Sequence, residues 1–331
     1  MSRRCKLFAL LLRSIAISML CAIPPASAQT SQKIHRLAIL ELWSEEFGRN
    51  TSAAFERGLK DLGYIEGKNL AVERRFADGR AERLPALATE LVRTRPDVIF
   101  APLTPAAHAA KTATDSIPIV IALASDPVAS GFAASLARPG GNVTGTSNIQ
   151  TDVDPKRLQI LKEAFPKVAR VALVHAGDRL AQIQLASAQR AGTALGIEIV
   201  SMEARQPDDY RRGFTAAKAH RIDAILVAAN GQNGANHLLI FGLAAEQRLA
   251  AIYPEAWYAE NGGLMSYGTQ STPLYYRAAT FVDKIFKGAR PGELPIEQPT
   301  TFDLVVNLKV AKAAGLTIPR LILTRADRVI E

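Results

Sequence analysis

From His35 onward the chain alternates short apolar runs with stretches whose apolar positions recur every three to four residues. Arg36–Leu42 and Val98–Ala101 are apolar runs of strand length, and Leu70–Arg75 alternates apolar and polar positions. Between them, Ser52–Leu62 (closed by Gly63) and Ala81–Arg93 carry helical spacing, and a helix over Ala106–Thr114 precedes the strand Ile117–Leu123. The next block reads Val143–Ser147 (strand), Pro155–Phe165 (helix), Val168–His175 (strand), Ala181–Leu195 (helix) and Ile197–Met202 (strand). It continues with a helix over Tyr210–Ala219, the strand Ala224–Ala228, a helix over Gly234–Leu249 and the strand Ala251–Tyr253. Strands separated by helices of this length are βαβ units, which build parallel sheets.

About ten such strands exceed one small sheet, and turn signals divide them. Arg138–Asn142 concentrates proline and glycine just before Val143–Ser147, Asn261-Gly-Gly263 stands before Leu264–Tyr267, and residues 287–299 hold three prolines and two glycines. Three crossings predict a hinged α/β protein of two lobes that exchange segments, with a cleft between them. The expected division is 33–145 plus 266–298 for the N-terminal lobe and 146–265 plus 299–331 for the C-terminal lobe. A single closed βα barrel is the alternative topology.

Composition narrows the class. With 48% apolar and 21% charged residues, the chain of 331 residues is that of a globular protein. The formal charge of +9 is partly local: Arg3, Arg4, Lys6 and Arg13 lie in residues 1–28 with no acid, leaving +5 on the rest. The remaining cations are scattered, with no basic stripe interleaved with aromatics, so nucleic acid is not an expected partner.

Residues 1–28 read as an export leader. A basic start precedes the apolar run Ser14–Ile23, Pro24-Pro25 and Ala26-Ser27-Ala28, whose small residues fit cleavage after Ala28 and periplasmic localisation. Cys5 and Cys21 both precede that cut, so the mature chain is expected to hold no cysteine, which removes thiol catalysis, disulfides and cysteine–metal sites.

Ligands of open parallel sheets bind beyond the carboxyl ends of the strands. The residues that follow the strands are therefore the candidate binding set: Trp43, Thr104, Ser125, Asp126, Asn148, His175, Asn230, Tyr253, Glu255 and Tyr267. Thr104-Pro105 and Asp126-Pro127 each place a capping residue before proline at a helix start, where free N–H groups suit a carboxylate. Either pair also reads as an ordinary cap, and Asp154-Pro155 repeats the pattern. Trp43, Tyr253 and Tyr267 offer rings with a polar handle, with Trp257 read as interlobe packing. Glu255 could meet an ammonium, and Asn230, Gln232 and Asn233 could hydrogen-bond a ligand. No dinucleotide fingerprint, phosphate loop or nucleophile elbow occurs. The five histidines lack metal spacing, with His108 and His237 read as solvated helix residues. The expectation is no catalytic residue, no metal and no cofactor.

Leu136–Gly145 (LARPGGNVTG), Gly262–Gly268 (GGLMSYG), Gln298-Pro-Thr300 with Leu304–Leu308, and the ending Leu316–Glu331 resemble a bacterial family of ABC-importer substrate-binding proteins, the one that includes tryptophan/tyrosine-type members. The similarity covers Lys33–Glu331. It implies a type I periplasmic binding protein: two Rossmann-like lobes with parallel sheets, three hinge strands, a small ligand enclosed as the lobes close, and ABC permease subunits in the inner membrane as partners; the expected state is a monomer. Carried over residue by residue, it implies Trp43, Thr104, Ser125, Asp126, Asn148, Tyr253 and Tyr267 as ligand-facing. Two positions depart from its pattern: His175 stands where asparagine is common, and Pro254–Glu260 replaces a Trp-Arg-Glu-Phe-like run. The ligand class expected is a small carboxylate, an amino acid or aromatic acid. A ligand sensor for a membrane kinase is the alternative role, and a small-molecule α/β enzyme is a more distant one.

Overall fold

The computed structural model describes residues 33–148 and 150–331. The leader, with Cys5, Cys21 and the expected cut after Ala28, lies outside the described residues. β1 (His35–Glu41), β2 (Leu70–Phe76), β3 (Val98–Phe100), β4 (Ile119–Ser125) and β5 (Val143–Asn148) form a parallel sheet in the order β2-β1-β3-β4-β5. β4 and β5 are buried along their whole length, as strands covered on both faces must be. The helices α1 (Arg49–Asp61), α2 (Leu84–Arg93) and α3 (Thr104–Ala113) connect these strands. Between β4 and β5 the register shifts, and Gly145 adopts φ +133° there. A side chain at 145 would lie 2.1 Å from the carbonyl oxygen of Ile121, so only glycine lets the two strands approach.

The chain then crosses to a second lobe. It runs α4 (Gln150–Ala164), β6 (Arg170–His175), α5 (Arg179–Leu195), β7 (Glu198–Glu203), α6 (Pro207–Ala219), β8 (Ala224–Val227), α7 (Gly231–Ala235), α8 (His237–Glu246), β9 (Ala250–Tyr253), α9 (Ala256–Glu260) and β10 (Met265–Gly268). It returns with α10 (Ser271–Phe286), whose Tyr275, Ala278, Phe281 and Val282 belong to the first lobe's core. A last crossing leads to β11 (Asp303–Asn307), α11 (Leu308–Ala314), α12 (Arg320–Arg325) and β12 (Arg328–Ile330). The second sheet has the order β12-β11-β10-β9-β8-β6-β7, parallel except where β11 runs against β10. Each sheet carries its own apolar core.

Several expectations change. β5 extends to Asn148 in the first sheet and Met265–Gly268 pairs into the second, so these two crossings fall a few residues after the turn signals. The segment read as one helix from Gly234 is two, broken at Asn236, which leaves helical backbone at φ −104°, ψ 17°. Helices α9 to α12 and strand β12 are not among the expected elements, although α10 is amphipathic and α11 is bounded by Asn307 and Gly315 as its caps. Asp126-Pro127 starts no helix: Asp126 takes φ +41° and the chain turns through to Gly131 at φ +75°. Asp154 caps nothing either, because α4 begins four residues earlier and encloses Pro155.

Candidate functional site

A cavity of about 430 Å³, within the range that encloses a small ligand, lies between the lobes at the carboxyl ends of the strands. From the first lobe it is lined by Trp43, Thr104, His108, Ser125, Ser130 and Asn148, with Leu103, Pro105 and Leu123 as apolar wall. The second lobe contributes Asp178, Arg179, Asn230, Gln232, Glu255, Trp257 and Tyr258. Rings of the two lobes meet beside it: Trp43 meets Trp257 at 6.3 Å between centroids, and Phe47 meets Trp257 at 5.3 Å and His237 at 5.2 Å. The two contacts to Trp257 are edge-on, which favours this approach of the lobes beyond simple burial. Trp257 is thus both interlobe packing and cavity wall.

Six of the ten candidate residues line the cavity: Trp43, Thr104, Ser125, Asn148, Asn230 and Glu255. Thr104 is not a cap; it lies inside α3, and its Oγ1 accepts the backbone N–H of Ser125 at 2.8 Å, tying the helix start to the end of β4. Asn230 caps α7, accepting the N–H of Asn233 at 2.7 Å. Glu255 is buried, and its Oε2 receives the Trp257 indole N–H at 2.7 Å and the Ser271 hydroxyl at 2.9 Å. Burial raises its pKa above the usual carboxylate range, against the two hydrogen bonds and the positive charge of Arg157.

Four candidates do not line it. The turn at Asp126 carries that residue off the wall. His175 is held inside its own lobe: Nδ1 accepts the N–H of Gly177 at 3.0 Å, which leaves Nε2 to donate to the Ser201 hydroxyl at 2.7 Å. Burial keeps its pKa low and the ring neutral. Tyr253 is a core residue stacked on Tyr258 at 5.3 Å, and Tyr267 packs on Phe302 at 6.1 Å. Asn233 also serves the fold. It is fully buried, its amide donates to the carbonyls of Val174 and Ala228, and its Oδ1 accepts the Tyr210 hydroxyl.

Sequence reasoning missed His108, Ser130, Asp178 and Arg179. The strand-end rule stopped at His175-Ala176, two residues short of Asp178, which caps α5 by accepting the N–H of Ala181 at 2.7 Å. His108, read as solvated, is exposed, yet it also lines the cavity and packs on Phe132 at 4.5 Å; partial burial lowers its pKa, against the charge of Asp178 across the cleft. His237, also read as solvated, sits in the ring cluster between the lobes with its pKa lowered by burial.

Two lobes with mostly parallel sheets, joined by three crossings around a cavity between them, form the type I periplasmic binding protein architecture. The chain belongs to the ABC transporter substrate binding protein family, whose pattern it matches over residues 37–330. Members are the extracytoplasmic, ligand-binding partners of ABC permeases. The chain is 25% identical over 287 residues to the tyrosine-binding protein of Clostridioides difficile (strain R20291), covering 86% of this chain and 82% of that one. A conserved domain protein from Vibrio cholerae O1 biovar El Tor superimposes with a TM-score of 0.84 at 28% identity, over 90% of this chain and all (100%) of that chain. The ABC domain from Streptococcus pneumoniae in complex with L-Trp gives a TM-score of 0.83 at 21% identity, with the same coverage. Among the described residues, no helix is long and apolar enough to cross a membrane.

Proposed function

We propose that this protein is the periplasmic receptor of an ABC importer for a small zwitterion or carboxylate, an amino acid or aromatic acid, captured without chemical change. The observation that carries the reading is Glu255, a carboxylate held by two donors on one oxygen in the wall of a ring-lined cavity. Oε1 takes the ligand's ammonium. Thr104 at the start of α3 and Ser125 at the end of β4, with Arg179 opposite, take its carboxylate, and Trp43, Trp257 and Tyr258 flank the remaining apolar part. Asn148 and Asn230 supply further hydrogen bonds from either lobe. Ligand touching both lobes stabilises the closed state that a permease recognises, because only differential affinity shifts the equilibrium. The amino-acid ligands of the tyrosine-binding and L-Trp-bound relatives favour the same class. The basic and apolar pattern of residues 1–28, with small residues before the cut after Ala28, supports export to the periplasm, where the protein acts as a monomer.

The test is a thermal-shift and tryptophan-fluorescence screen of the protein against amino acids, aromatic acids, short peptides and sugars. A ligand at 100 times its Kd adds about 2.7 kcal/mol. An amino acid or aromatic acid that stabilises the protein and is recovered unchanged is the expected result. Conversion to product, or stabilisation by sugars alone, overturns the proposal.

A further inference from the structure

Three glycines have, as nearest neighbours, atoms of the opposite lobe. A Cβ built on Gly231, the first residue of α7, would stand 2.1 Å from Leu42 Cδ2, with Pro105 next at 3.7 Å. At Gly234 it would meet Trp43 Cζ2 and Nε1, both at 3.3 Å, and at Gly79 it would meet Ala235 Cβ at 3.1 Å. Leu42, Trp43, Pro105 and Gly79 belong to the first lobe, and Gly231, Gly234 and Ala235 to the second. By contrast, Gly192 and Gly213 abut Ile197, Ile199 and Met202 of their own lobe. Leu42 is 1% exposed and Trp43 7% exposed, so neither has free space into which to retreat. Gly231 and Gly234 do not have left-handed backbone, so their conformation does not call for glycine.

We infer that Gly231 and Gly234 are positioning residues for ligand capture: the bare face of α7 sets how far the lobes close, and so whether the two halves of the cavity meet around a ligand. A side chain at 231 leaves the second lobe's own packing untouched and acts only when the lobes come together. The closed state then loses either the Leu42 contact or the ring contacts of Trp43 and Phe47 with Trp257 and His237. Asn230, one residue before Gly231, is held off its cavity position by the same wedge. The inference rests on capture by closure and is independent of which ligand is captured.

The closing pair Gly79 and Ala235 supplies the probe. Their Cβ positions, 3.1 Å apart, fall just short of the span of about 3.5–4.5 Å across a disulfide, a gap that local adjustment at exposed Ala235 and half-buried Gly79 makes up while the lobes stay closed. In a Cys5→Ser, Cys21→Ser background, Gly79→Cys with Ala235→Cys is oxidised and the crosslinking rate measured. The strain of a side chain at residue 79, φ +78°, is common to every variant compared. Adding Gly231→Ala is expected to slow crosslinking about tenfold, as a shift in a two-state equilibrium does. Gly242→Ala, which nothing approaches within 4 Å, is expected to leave it unchanged. The Gly231→Ala protein is expected to unfold at the parent's midpoint, which separates impaired closure from impaired folding. Equal crosslinking rates with and without Gly231→Ala, or no crosslink in the parent, overturn the inference. Failure of every compound in the ligand screen would count against the proposed ligand class and leave this readout standing.

Discussion

The guanidinium of Arg157, on α4, donates its Nε–H to the backbone carbonyl of Tyr267 at 2.7 Å. A second nitrogen donates to the carbonyl of Pro254 at 2.9 Å, and a third pairs with Asp154 at 2.6 Å. Arg157 and Asp154 are both fully buried. The arginine thus ties the end of β10, where the chain crosses back, to the segment that presents Glu255 and Trp257.

A buried charge left without its partner is far more harmful than a buried pair exchanged for apolar groups. Arg157→Met is therefore expected to destabilise the protein by about 3–5 kcal/mol, and Asp154→Leu with Arg157→Met by clearly less. Urea unfolding of the two variants checks this. A double variant no better than the single one would mean that the carbonyl contacts, rather than the ion pair, dominate.

Glu255 can hold an ammonium only when ionised, and burial raises its pKa. The affinity for an amino acid is thus expected to fall as pH drops through a value above the usual glutamate range. Glu255→Gln should bind at least about tenfold more weakly at neutral pH, the loss of one charge-assisted contact, and show no such pH dependence. Calorimetric titration from pH 5 to 8 reads both. An unchanged affinity in Glu255→Gln would remove Glu255 from the ligand site.

Trp43 and Trp257 are the two tryptophans of the chain, one on each lobe, and they touch in the closed cleft. Opening must separate the indoles. Near-ultraviolet circular dichroism is expected to show a coupled indole signal that strengthens on ligand addition. Trp43→Phe and Trp257→Phe should each abolish it. A signal insensitive to both variants would mean that the rings do not meet in solution.

Glu41, at the end of β1, is 2% exposed, with its pKa raised to about 8 by burial against a hydrogen bond from Tyr275. The folded protein holds this proton where the unfolded chain has released it. Stability is fully present below about 4.5, the ordinary value, and is lost as pH rises through about 8. The slope is at most about 1.4 kcal/mol per pH unit. Glu41→Gln is expected to flatten this decline in urea melts between pH 5 and 8, and parallel curves would show that Glu41 ionises freely in the folded state.

Much of the architecture was legible because parallel strands buried on both faces must be continuous apolar runs, and the helices that cover them must be amphipathic. β1, β4 and β6 stand within two residues of their expected starts for that reason. The turn signals assigned residues 266–298 to the first lobe, but α10 within them was not read as a helix; its Tyr275 and Phe281 pack into that lobe's core. Strand-end logic reached Trp43, Thr104, Ser125, Asn148, Asn230 and Glu255, since that rule depends on the direction of the chain alone. It failed for His175, Tyr253 and Tyr267, because a residue at a strand end can turn inward.

The sequence by itself determined two α/β lobes, their crossings and the edge of the sheets where a ligand can sit, all consequences of local periodicity and chain direction. Which side chains share the cavity depended on tertiary structure. His108 faces Asp178, and Trp43 meets Trp257, only when two lobes far apart in sequence are brought together. Nothing in local spacing encodes that meeting; it arises from the close approach that Gly231 and Gly234 permit and from the apolar surface it removes from water.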